Sequence, residues 1–66
     1  MKDIVSNSVY DLRSASGATQ EELARAIGVT RQTIISIEKG NYTPSMLLGL
    51  KMAKYFNKPL EEIFNI

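Results

Sequence analysis

Between positions 31 and 39 the chain carries Arg31, Gln32, Ser36 and Lys39, side chains whose chemistry is recognition by hydrogen bonding rather than bond breaking. Glutamine pairs a donor with an acceptor and can bond adenine N6 and N7 together; serine serves as either partner; arginine and lysine reach guanine or phosphate. Ile35, set among them, suits a thymine methyl group. At about 100° per residue, with Ile34 at zero, Ile37 shares its side while Gln32, Ser36 and Lys39 gather opposite, flanked by Ile35 and Arg31. On an isolated helix the same residues are ordinary solvated surface, so their meaning depends on what holds the helix. Other chemistries lack their residues. There is no cysteine or histidine, and no carboxylate cluster has metal-ligand spacing. No nucleophile–base pair or phosphate-cradling glycine loop points to an enzyme, and no cofactor is expected.

The holding frame is legible in Gln20 to Lys39, QEELARAIGVTRQTIISIEK. Leu23, Ile27, Val29, Ile34 and Ile37 fall where two short helices must face a common core. Ala24 is small enough for close helix contact, and Gly28 accepts the positive φ that ends the first of the two. This is a helix-turn-helix, and the outward face of its second helix is the part of the chain placed to enter a DNA major groove. Around it, Ser6 or Asn7 caps a first helix over roughly 8–16, with Val9 and Leu12 inside and Gly17 as its stop. Thr19 and Glu22 form a capping box for the second helix, and Thr30 caps the third, which ends at Gly40. Asn41 to Thr43 form a loop, Pro44 opens a fourth helix through about Phe56, and Asn57 ends it. Pro59 starts a short fifth helix carrying Leu60, Ile63 and Phe64. The expected class is all-α with five helices. Residues 1–5, with Ile4 and Val5, read as a short strand or as an arm.

A chain of 66 residues allows one domain, spanning 1–66, whose small core leaves only a few kcal/mol of stability. Net charge is only +1, but Arg13, Arg25, Arg31 and Lys39 lie in or beside the helix-turn-helix, whereas Glu61 and Glu62 crowd the far end. No run approaches the roughly 18 apolar residues of a membrane span and no signal-peptide core is present, so the expectation is a cytoplasmic protein. If the third helix enters a groove, Thr19 and Gln20 at one helix start, and Asn41 and Tyr42 in the following loop, lie beside the phosphate backbone. Thr19 is equally a plain cap, and Tyr42 is equally able to pack its ring on the domain. One recognition helix contacts few base pairs, so two copies are expected to act together. Leu60, Ile63, Phe64 and Ile66 are the natural seam between them, Leu60 and Ile63 serving mostly as core and Phe64 and Ile66 being the better interface candidates.

The run TQEELARAIGVTRQTIISIEKGNYTPS, followed by LKMAKYFNKPLEEIF, resembles the Xre family of bacterial, archaeal and phage repressors, related to the lambdoid repressor and Cro domains. The resemblance extends from about Ser8 to Phe64. It implies a five-helix, lambda-repressor-like domain that binds double-stranded DNA as a homodimer on an operator of two-fold symmetry. It places Gln20, Arg31, Gln32, Ser36 and Lys39 at DNA-contact positions and Asn41 and Tyr42 in a phosphate-contact loop. It also pairs Arg13 with Glu38, chiefly for structure. The chain departs from the family pattern at Ala18, where a larger apolar residue is usual, at Ser8, where a basic residue is common, and at Ile35, Leu47 and Gly49. The reading is a transcriptional regulator acting as a repressor, with no membrane or small-molecule partner. The alternative is a protein-interaction module such as the antidote half of a toxin–antitoxin pair, which a co-purifying small partner would reveal.

Overall fold

Hydrogen bonds between near neighbours set most helix boundaries. The computed structural model describes residues 5–66 and orders the chain as β1 (Ser6–Asn7), α1 (Val9–Ser16), α2 (Gln20–Ile27), α3 (Arg31–Glu38), α4 (Met46–Phe56), α5 (Leu60–Ile63) and β2 (Phe64–Asn65). Thr19 caps α2 in a complete capping box: its hydroxyl accepts from the Glu22 N–H at 3.0 Å, and Glu22 Oε1 accepts from the Thr19 N–H at 2.8 Å. Thr30 accepts from the Thr33 N–H and starts α3. Gly40, at φ +79°, lets the Asn41 and Gly40 N–H groups return to the Ser36 and Ile37 carbonyls, which closes the α3 C-terminus as a Schellman motif.

Several boundaries differ from the sequence expectation. The cap position of α1 is Ser8, which makes no side-chain capping bond; of the two residues expected to cap, Asn7 contributes, its Oδ1 accepting from the Val9 N–H at 3.1 Å, while the Ser6 hydroxyl goes to Asn65 Oδ1 at 2.7 Å. Pro44 does not open α4. Ser45 does, its hydroxyl accepting from the Leu48 N–H, and Pro44 stands one residue outside the cap. Phe64 leaves the helical region altogether, at φ −123° and ψ 134°, because the chain turns extended to pair with β1. A short strand is present, but at Ser6–Asn7, just beyond the segment 1–5 for which a strand or arm is expected, and Val5 is not part of it; it runs antiparallel to β2 with Ser6 opposite Asn65 and Asn7 opposite Phe64. The expectation for residues 1–4 lies outside the described residues.

Eight apolar side chains form the core: Val9, Leu23, Ala24, Ile27, Ile34, Ile37, Met52 and Ile63, all buried. Leu12, Val29, Ala53, Phe56 and Phe64 pack around them half-covered. Each fully buried aliphatic side chain contributes about 1.5–3 kcal/mol of transfer free energy. Leu23, Ile34 and Ile37 are all at 0 % exposure, so α2 and α3 are fastened to each other by the apolar stripe that the sequence pattern shows. Gly49 faces α5. A Cβ built there would lie 3.1 Å from Leu60 Cδ1, so any larger residue would push against the Leu60 side chain, whereas glycine fits at the roughly 1 kcal/mol it costs inside a helix. Arg13 joins the layers through the ion pair found among the described residues, from its Nε to Glu38 Oε2 at 2.6 Å.

Candidate nucleic-acid interface

With Ile34 and Ile37 sealed in the core, the opposite side of α3 is left largely uncovered among the described residues. Arg31, Gln32 and Lys39 are exposed, and Ile35 and Ser36 are half-exposed. Gln32 and Ser36 line one shallow surface depression together with Thr30, Thr33, Asn41 and Tyr42. The helix and the loop that follows it thus present one continuous polar face, built from two segments that the Schellman turn at Gly40 folds together. Tyr42 is 44 % exposed and lines that face. Arg31, Ile35 and Lys39 lie on the same helix outside the depression, Lys39 and Ile35 on its Gln32 flank and Arg31 further round, exposed at the first position of α3.

Thr33 belongs to the face although its sequence position gave no sign of it. Its hydroxyl lies 3.1 Å from the Thr30 hydroxyl, and the two form a small hydroxyl pair at the helix start. The only available signal was the threonine repeat at a spacing of three, which a cap explains equally well.

At the start of α2, Thr19 N–H and Glu22 N–H are used by the capping box, which leaves the Gln20 and Glu21 N–H groups without a protein partner among the described residues. The Gln20 side chain is not free: its Nε2 donates to Glu38 Oε1 at 3.1 Å. Glu38 also receives Arg13 Nε and, at 3.1 Å, Arg13 Nη2, while Arg13 Nη1 donates to the Ala18 carbonyl at 2.9 Å. Arg13 is thus neutralised internally, which removes it from the positive charge available at the face. Its hydrogen bonds with Glu38 hold its pKa above the ordinary arginine value, against the opposing effect of burial, with smaller help from the Glu38 charge. The Tyr10 ring, 5.3 Å from the guanidinium carbon, covers its outer side.

The expected seam residues divide sharply. Ile63 is at 0 % exposure within its own chain, in keeping with its expected place mostly in the core, and it has no side-chain surface to offer a partner. Leu60 and Phe64 are half-buried, and Ile66 is 85 % exposed. Leu60 and Phe64 line an apolar hollow of about 280 Å³ with Val5, Pro44, Met46 and Gly49. Leu47, at 62 % exposure, stands with Met46 and Leu50 on the uncovered side of α4.

A recognition-type helix held by its apolar side, with a bare polar side continued by the next loop, defines a helix-turn-helix DNA-binding domain. The comparison with known proteins agrees. A family model described as helix-turn-helix matches residues 9–63. The chain is 50 % identical over 58 residues to the uncharacterized HTH-type transcriptional regulator YgzD of Bacillus subtilis, covering 88 % of each. It is 36 % identical over 58 residues to the cryptic phage CTXphi transcriptional repressor RstR of Vibrio cholerae, covering 88 % of this chain and 52 % of that one. Among solved structures, the restriction-modification controller protein of Aeromonas hydrophila superposes with a TM-score of 0.75 at 31 % identity, over 82 % of each chain. The chain belongs to the helix-turn-helix family of Xre and lambda-repressor type, and it is a DNA-binding transcriptional regulator. No helix among the described residues is long and apolar enough to cross a membrane.

Proposed function

We propose that the protein is a repressor of the cytoplasm that occupies an operator as a homodimer, one α3 in each of two successive major-groove turns. Gln32 and Ser36 read base edges, Ile35 meets a thymine methyl, and Arg31 and Lys39 reach guanine or phosphate at the margins. Thr19 and Gln20 on one side, and Asn41 and Tyr42 on the other, hold the backbone and set the register without reading sequence. Phe64 and Ile66 form the seam, with the hollow beside Leu60 as its apolar floor. Repression then follows from occupancy alone, with no catalytic step.

The observation that carries this reading is the shared polar depression of Gln32, Ser36, Asn41 and Tyr42, on a helix whose Ile34 and Ile37 are fully buried. Selection of bound fragments from a random duplex library, followed by sequencing, tests it. Enrichment of two inverted half-sites about one helical turn apart is expected. Recovery of no common sequence, or of a single unpaired half-site, would count against base reading or against the dimer respectively.

A further inference from the structure

Glu38, the last residue of α3, gathers donors from two other elements: Arg13 of α1 through Nε and Nη2, and Gln20 of α2 through Nε2. Its side chain is 6 % exposed and that of Arg13 11 %, so this arrangement is fixed by contacts rather than averaged in solvent. An ion pair that served only to fasten α1 to α3 would be complete with Arg13. The third donor comes from the first residue of α2, the position that faces the DNA backbone in the reading above.

A primary amide nitrogen carries two hydrogens. One on Gln20 is directed to Glu38 Oε1 at 3.1 Å, and the other has no protein partner among the described residues. A free glutamine side chain loses rotamer freedom when it binds, whereas this one is already ordered in the folded protein. The acceptor that orders it is a carboxylate, which alone would repel a phosphate. The bidentate guanidinium cancels that charge and leaves the oxygen as a local acceptor.

We infer that Glu38 is a positioning residue for backbone recognition: it holds the Gln20 amide so that the second N–H meets a DNA phosphate, while Arg13 cancels the carboxylate's repulsion. The inference rests on the major-groove reading of α3. It gives the ion pair a duty in binding that is separable from its duty in folding, because Gln20 can be removed without touching Arg13.

A double-mutant cycle on DNA binding tests it, using Gln20→Leu, the charge-neutral replacement Arg13→Met with Glu38→Leu, and all three changes together, with the duplex recovered by selection and with a duplex of mixed sequence. Gln20→Leu and the charge-neutral replacement are each expected to weaken binding to both duplexes by about fivefold, and the combination by little more than either, since both break one arrangement. Losses that multiply in the combination, or a Gln20→Leu protein that binds like the parent, would overturn the inference. A second readout uses the unaltered protein, which avoids any folding defect in the charge-neutral replacement. The Gln20 side-chain ¹⁵N resonance should shift when duplex is added, and an unmoved resonance in a saturated complex is a negative result for phosphate contact. A parent that binds no duplex at all removes the DNA reading itself, whereas a parent that binds with multiplying losses removes the positioning role alone.

Discussion

Glu38→Ala is the most demanding test of the packing between α1 and α3. The substitution deletes three acceptor contacts and leaves the Arg13 guanidinium, 11 % exposed, with the Ala18 carbonyl and the Tyr10 ring as its remaining partners. Stranding one member of a fully buried pair costs about 3–5 kcal/mol, and the partial exposure and aromatic cover of Arg13 place this case near 3 kcal/mol. For a chain of this size each kcal/mol moves the melting temperature by roughly 7 °C, so the expected fall is about 20 °C in a thermal melt followed by circular dichroism. The fall should be the same from roughly pH 6 to 9. Arg13 has its folded pKa raised, so its contribution is complete below the unfolded value and is lost only as pH rises through a still higher folded one. Replacing both partners by apolar residues, Arg13→Met with Glu38→Leu, should recover at least half of the loss, because no unpaired charge remains. A Glu38→Ala protein melting within about 5 °C of the parent would refute the claim that the pair is energetically buried.

Gln32→Ala should change which operator is preferred while leaving the melt unaltered; equal loss on selected and random duplexes would remove its base-reading role. Binding should weaken steeply with salt. Arg31 and Lys39 from each of two protomers give a slope of log K against log salt of about −3.6, and a flat profile would contradict phosphate neutralisation. Asn7→Ala removes both the acceptor for the Val9 N–H and the Nδ2 donor to the Ile37 carbonyl at 2.9 Å. The expected cost is about 1–2 kcal/mol, or about 10 °C in the melt, and an unchanged melt would show that neither bond matters. Ile66→Asp, at a side chain 85 % exposed, should shift the sedimentation equilibrium toward monomer without lowering monomer stability. A dimer indifferent to it would place the seam elsewhere.

The outer edge of α4 shows where reading from sequence stops. MLLGLKMAKYF is apolar on nearly every side, so periodicity alone gives no inward face. Packing against α2 and α5 turns Met52 inward to 0 % exposure and leaves Met46, Leu47 and Leu50 outside. Gly49 is explained only by the approach of Leu60 from α5. The links from Asn7 to Ile37, from Gln20 to Glu38, and between Ser6 and Asn65 join residues far apart in the chain, and no local pattern announces them.

What the amino-acid order settled by itself was whatever depends on neighbours within one helical turn. The capping box at Thr19 and Glu22, the cap at Thr30, and the left-handed stops at Gly17, Gly28, Gly40 and Asn57 each follow from one residue's hydrogen bonds or allowed φ. The one-sided apolar pattern of Leu23, Ile27, Ile34 and Ile37 likewise fixed which side of α3 is bare. Tertiary structure decided what depends on distance in space: that Gln20 is held by Glu38, that Asn7 reaches the Ile37 carbonyl, that Met52 rather than Leu47 turns into the core, and that Phe64 ends in a strand. The physical reason is that capping and φ preferences act between near neighbours in the chain. Burial and charge pairing are set by whichever surfaces folding brings within a few ångströms of one another.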